Sequence, residues 1–526
     1  MNVFHGNYRR YAEIVCLSVL LIFSAALRIY KVDFGLPTLY HPDERMASID
    51  VRNFMHGDFL INRFNHPAMI RNLAFTGLKI FSFFKKIDPD KECAAATLAL
   101  RLLSVVSGTL AVLALYFLAR KFVPCFFAFT AAWLYTVIPL TVFNAKYGVP
   151  DTILSLLFIL ILLVQIKLYE SRSAWLYFLN GFILTVAFFT KYNACFLFFS
   201  FLTAHVLGII RDSFSWKKVF DIHAVRYFLT GVLLGVLIGF PFFQIRKWED
   251  VFATLGYEAD RLFVRADKEI DERTLLDAPG SVFLYCFHFR YSILPAVGIP
   301  LFVCIVLGLI RMAMKRSPAI LILYAGLIPY YCVLEFVNKV AVNYDRYVLP
   351  VLSLYLIAAM VFCEGICRYC RTMSGKYVAM FSLAVVLSVY PIYKTARYLA
   401  VVVPDTREQM KEWIVGNIPK GSTIFMHWAR PSLYPDLASE GYKVVIPPHR
   451  TAIEFEEQKR QADYILSSTV KNVFFTYPDD RSLYKQIYGD ELSTAKPLFS
   501  VYPSYETYLY HNPVLHIYKG IKNTAQ

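Results

Sequence analysis

The chain has 526 residues, of which 57% are hydrophobic and 17% aromatic, and its mean hydropathy is +0.46. A water-soluble protein of this length would divide into domains with far more polar surfaces, so a soluble enzyme is excluded. The formal net charge of +15 would suit nucleic acid, so the placement of that charge decides.

Apolar runs long enough to cross roughly 30 Å of hydrocarbon recur at 12–30, 97–119, 124–143, 151–168, 174–190, 193–210, 225–244, 289–310, 318–337, 346–366 and 377–398. The first is too long for a removable signal peptide and lacks a small-residue cleavage site. With the amino terminus cytosolic, the cytosolic turns gather Arg9, Arg10, Arg120, Lys121, Lys167, Arg172, Arg211, Lys217, Lys218, Arg226, Arg311, Lys315, Arg316, Arg368, Arg371 and Lys376. Only Glu170, Asp212, Asp221 and Glu364 oppose them. This matches the positive-inside rule. The basicity is topological and gives no reason to invoke nucleic acid. The chain reads as a multi-pass protein of the cell (inner) membrane, in contact with membrane lipid, with segments 31–96, 245–288 and 399–526 outside.

Within 31–96, Asp43–Phe54 and His66–Phe84 carry apolar residues at helical spacing among charges, which predicts helices lying in the interface. In 225–244, Gly231, Gly235 and Gly239 form a stripe of small residues for close helix packing. Residues 245–288 are dense in charge and predict a solvated helix or a flap over the outer face. Cys367 and Cys370 have the spacing of half a metal site, but with no second pair they read as packing residues. From 399 the composition becomes that of a soluble α/β unit. A helix is predicted over Asp405–Gly416, capped by Asp405, with strands over Ser422–His427, Lys443–Ile446, Asp463–Ser467 and Val514–Tyr518. The expected fold is mainly α: a transmembrane catalytic domain over 1–398 of about eleven spans, plus a small extracytoplasmic α/β domain over 399–526.

Charged groups at span mouths are the candidates for chemistry, because a charge drawn to the bilayer centre costs about 2.5–3.5 kcal/mol. In Tyr40-His41-Pro42-Asp43-Glu44, Pro42 is placed to start a helix. Neighbours on a helix point about 100° apart, so Asp43 is taken as general base and Glu44 as its supporting charge. Asp151 opens another span, either as an N-cap or as a functional carboxylate. Lys191 and Arg346 sit at two further mouths, where they can snorkel to the interface or hold a phosphate; Asp345 caps a helix or pairs with Arg346. His41, His66, Tyr192 and Tyr347 are placed to line the same cavity. Carboxylates and cations gathered on one membrane face suit transfer of a group from a lipid phosphate. Two rivals remain. One is a metal-dependent oligosaccharyltransferase using a pyrophosphate donor, with a divalent ion on Asp43, Glu44 and Asp151. The other is a secondary transporter, whose carboxylates would be expected nearer the midplane.

The order of these motifs resembles the membrane glycosyltransferases of the GT-C superfamily, in the family-39-like branch that holds protein O-mannosyltransferases and aminoarabinose transferases. The resemblance runs through Arg28, Gly35-Leu36, Asp43-Glu44, His66-Pro67, Lys146 to Asp151, Lys191-Tyr192 and Asp345 to Pro350. It continues into Asp405-Thr406-Arg407, Trp413-Ile414 and Asn417 to Ser422. It implies a polyprenyl-phosphate sugar donor, inversion at the anomeric carbon, an active site at the outer face with the first-loop carboxylate as base, and no metal cofactor. No MIR-type repeat is found, and the acceptor is open among lipid, glycan and protein.

Overall fold

The computed structural model describes residues 2–61, 67–239, 288–336, 344–426, 433–446, 452–469, 495–503 and 512–520, with isolated positions between 249 and 256. The expected segment 245–288 lies almost wholly outside them.

The chain enters the bundle through α1 (Asn2–Ile29) and leaves it for two short helices, α2 (Pro42–Met55) and α3 (Met69–Phe84). It returns through α4 (Glu92–Ala119), α5 (Cys125–Val137), α6 (Pro139–Asn144), α7 (Pro150–Ser171), α8 (Ala174–Thr190), α9 (Phe198–Arg211) and α10 (Ile222–Gly239). Then come α11 (Leu294–Lys315), α12 (Pro318–Phe336), α13 (Leu349–Cys367) and α14 (Met373–Ala400). Among the described residues nine helices are long and apolar enough to cross a bilayer; with the shorter α5 and α8 they account for the apolar runs of the sequence. One run departs from expectation. The stretch 124–143 is two helices, because Pro139 has no amide proton and holds Ile138 in an extended conformation (φ −68°, ψ 127°).

Burial sorts the helices. The span containing α13 is 89% buried and that of α1 only 22%. A helix apolar on every side must be enclosed, so α13 is the axis and α1 lies on the rim. The glycine stripe performs the predicted task. A Cβ on Gly231 would lie 2.0 Å from the Phe178 carbonyl oxygen, and those on Gly235 and Gly239 would strike Thr185 and Phe189, so α10 and α8 pack backbone against backbone. Helix α3 turns Ile80, Phe81, Phe83 and Phe84 outward beside Lys79, Lys85 and Lys86, the pattern of an interfacial helix.

Beyond α14, Asp405 caps α15 (Thr406–Asn417). Strands β1 (Thr423–Phe425), β2 (Lys443–Val445), β3 (Tyr464–Thr469), β4 (Phe499–Val501) and β5 (Val514–Lys519), with α16 (Ala452–Gln461) after β2, complete the unit. The sheet order is β2-β1-β3-β5-β4; the first three strands are parallel and the last two pairings antiparallel. The short β4 was not foreseen. Met410 and Ile414 of α15 pack with Ile424, Leu466, Leu515 and Ile517 in a core of their own. The unit meets the first loop at Tyr40. The Arg407 guanidinium, bound to Asp405 at 2.6 Å, stacks 3.6 Å from the centre of the Tyr40 ring, and the Tyr40 hydroxyl donates to Glu408 Oε1 at 3.4 Å.

Because the atom facing Gly231 is backbone and cannot swing aside, Gly231→Ala is expected to destabilise the bundle by about 1–3 kcal/mol. Thermal unfolding in detergent should show a lower Tm, and an unchanged Tm would refute this close packing.

Candidate active site

Helix α2 begins at Pro42, and His41 is its N-cap, with Nδ1 accepting the Asp43 amide at 3.2 Å. Asp43 and Glu44 thus occupy the first turn, where the helix dipole favours negative charge. Their side chains diverge. Glu44 is fully buried and makes a two-pronged ion pair with Arg101 of α4, at 2.8 and 2.9 Å. Its Oε1 also accepts the Gly148 amide at 2.6 Å. Arg101 donates further to the carbonyls of Val32 and Phe34, both at 2.7 Å, and lies 4.2 Å from the Phe34 ring centre. Glu44 therefore supports the loop from behind.

Asp43 faces a second group. Its Oδ2 accepts Arg346 Nη2 at 2.8 Å. Arg346 sits in the tight turn Tyr344–Val348 that leads into α13, where its amide donates to Asp345 Oδ1 at 2.8 Å. Its Nε lies 3.6 Å from Asp151 Oδ2, and Asp151 Oδ1 accepts Lys191 Nζ at 2.5 Å. The ammonium of Lys191 stands 3.8 Å from the centre of the Tyr347 ring. The result is an alternating chain, Asp43–Arg346–Asp151–Lys191, drawn from four distant stretches of sequence. Asp151 and Arg346 are buried, whereas the Asp43 side chain keeps 27% of its surface. Asp151 does not cap α7; Val149 holds that position, so the carboxylate is committed to the two cations. Among the described residues, Arg346 Nε and Nη1 donate no hydrogen bond.

Burial pulls the Lys191 ammonium below its usual value, with the Asp151 carboxylate opposing. Burial also lowers His41 from 6.5 to about 4, so its ring is neutral at pH 7. Since Nδ1 accepts from Asp43, the ring proton belongs on Nε2. The His41 ring packs 4.9 Å from that of Tyr147, and Tyr192 packs on Phe188 at 5.2 Å.

The structure thus gathers Asp43, Asp151, Lys191, Arg346 and Tyr347, with His41 directly behind Asp43. His66 lies outside the described residues. Glu44 points away from Asp43 and Asp151, and among the described residues no group of three or more His, Cys, Asp or Glu is gathered around a common point. Sequence reasoning passed over Arg101, although a guanidinium inside an apolar run is itself a signal of a buried partner. It also passed over the buried pair Arg71–Asp50, at 2.8 Å between α3 and α2.

The family described as dolichyl-phosphate-mannose-protein mannosyltransferase matches residues 94–240, which carry Arg101, Asp151 and Lys191. The fold is shared with ArnT from Cupriavidus metallidurans bound to undecaprenyl phosphate, at 12% identity over 96% of this chain and 97% of that one (TM-score 0.52). Residues 94–240 thus resemble a glycosyltransferase family, and the fold is that of ArnT. The same bacterial protein in its apo state matches at 14% identity with the same coverage and a TM-score of 0.51. An Archaeoglobus fulgidus oligosaccharyltransferase tethered to an acceptor peptide matches at 14% identity, over 96% of this chain and 74% of that one (TM-score 0.51). No curated protein matches this chain in sequence.

Two outcomes follow from the geometry. Glu44→Gln leaves Arg101 as an uncompensated buried charge and should cost about 3–5 kcal/mol; a thermal melt equal to wild type would show the pair to be dispensable. For His41, the folded value lies below the unfolded one, so the folded state binds fewer protons between them. Its stabilising share is complete above pH 6.5 and is lost as pH falls toward 4. His41→Asn, which keeps a capping acceptor, should flatten the dependence of Tm on pH in that window.

Proposed function

We propose that this enzyme moves a sugar from a polyprenyl-phosphate-linked donor to a hydroxyl-bearing acceptor, with inversion, at the outer face of the cell membrane. The observation that carries the proposal is a buried arginine, Arg346, whose Nε and Nη1 make no hydrogen bond among the described residues, beside a second cation, Lys191, and a partly accessible carboxylate, Asp43. Phosphate matches the planar donor edge of arginine, and the undecaprenyl phosphate bound to the ArnT of like fold agrees with such a ligand.

The chemistry follows from the charges. Donor phosphate settles against Arg346 and Lys191, competing with Asp43 for the guanidinium. Asp43, released, takes the proton of the acceptor hydroxyl. The acceptor oxygen bonds to the anomeric carbon from the face opposite the phosphate, and the bond from that carbon to the phosphate oxygen breaks. The electron pair leaves with the phosphate, whose added charge Arg346 and Lys191 neutralise. Asp151 holds both cations in place, and Glu44 holds the loop. We assign the reaction to residues 1–398 and no metal to it, since Glu44 is committed to Arg101 and cannot join Asp43 and Asp151 as a ligand. The acceptor is a lipid, a glycan or a protein.

Asp43→Asn should lower transfer of radiolabelled sugar from lipid-linked donor into envelope material by about 100- to 10,000-fold, with undecaprenyl phosphate still bound. Transfer by the wild type should continue in chelator. Undiminished transfer by the variant would remove Asp43 as base, and loss in chelator restored by Mn²⁺ would favour the metal-dependent reading.

A further inference from the structure

Two hydrogen bonds away from the Tyr347 backbone lies a side chain that the proposed chemistry does not use. Asn193 belongs to the turn Tyr192–Leu197, two positions after Lys191. Its Nδ2 donates to the Tyr330 hydroxyl at 3.0 Å, and that hydroxyl donates to the Tyr347 carbonyl at 3.3 Å. Hydrogen-bond inventory fixes this arrangement. A carbonyl oxygen only accepts, so the single Tyr330 proton must point to Tyr347. The hydroxyl must then accept from Asn193, which decides which end of the amide faces it. The other end, Oδ1, is buried and has no hydrogen-bond partner among the described residues. The same Tyr347 carries Lys191 over its ring, so the amide is tied to the lattice that holds the candidate phosphate site.

A buried carbonyl oxygen without a donor is costly, and what it lacks is an O–H or N–H. The phosphodiester of the donor cannot supply that need, because its oxygens only accept. A sugar ring can. We propose that Asn193 reads the glycosyl ring: its Oδ1 accepts a hydrogen bond from a hydroxyl or amino group of the donor sugar, while Tyr330 holds the amide in that orientation. This rests on the donor class proposed above and adds a consequence to it. The residue favours the glycosylated lipid over the bare lipid phosphate, so it discriminates substrate from spent carrier and eases release of the latter. Tyr330 is a positioning residue, acting through the amide.

The test is displacement of radiolabelled undecaprenyl phosphate from the purified full-length enzyme, without acceptor. The competitors are unlabelled undecaprenyl phosphate and undecaprenyl-phosphate-linked mannose, glucose and an aminopentose. Wild type should bind at least one glycosylated lipid about tenfold more tightly than the bare lipid. Asn193→Leu should lose that preference with bare-lipid affinity unchanged, Tyr330→Phe should lose part of it, and Asn193→Asp, which keeps an acceptor oxygen, should retain it. The inference is overturned by a preference that survives in Asn193→Leu, by equal loss of both ligands in that variant, or by no preference in wild type. Failure of wild type to bind undecaprenyl phosphate at all would instead overturn the proposed donor.

Discussion

The ion pair between Glu44 and Arg101 is the constraint on which the rest of this molecule depends. Both side chains are fully buried, so neither charge can be screened by water, and each is costly without the other. The pair therefore draws further partners to itself. Arg101 reaches the carbonyls of Val32 and Phe34, and Glu44 takes the amide of Gly148. Gly148 is the residue type this demands, because a Cβ there would lie 2.5 Å from that of Leu100. One ionic contact thus fastens the first loop, α2, α4 and the entry to α7.

That fastening explains how neighbouring acids divide their labour. On a helix, adjacent residues diverge by about 100°, so anchoring Glu44 inward fixes Asp43 toward the opposite side. There it meets Arg346, which is shared with Asp151. Arg346 and Lys191 alternate with the two carboxylates, so the buried charges compensate one another. Such an arrangement holds the two cations without stranding them in an apolar surrounding.

Much of this was legible in the sequence because the relevant signals are local. Spans follow from apolar length, α2 from Pro42, and the Asp405 cap from its place before a helical pattern. The convergence of Asp43, Asp151, Lys191 and Arg346 was legible only as a shared position at span mouths, since alternation across the membrane sorts residues by face. What escaped was partner choice. Nothing near Glu44 in sequence points to Arg101, because the pairing is set by how α2 docks on α4. The break at Ile138-Pro139 was hidden by the unbroken apolar character of 124–143, although the proline itself was a warning. The three-residue β4 is too short to show alternation, and its register comes from β5.

The stacking of Arg407 on Tyr40 has a wider meaning. Tyr40 precedes His41, which caps the helix of Asp43, so the first helix of the carboxy-terminal unit bears on the strand of chain that presents Asp43. The two parts of the molecule are thus mechanically one, although their cores are separate. A swap of this tail for another of equal size would preserve Asp43, Asp151, Lys191 and Arg346 and still leave the loop without its roof. A replacement tail must accordingly bring its own partner for Tyr40, as a lock is recut together with its key.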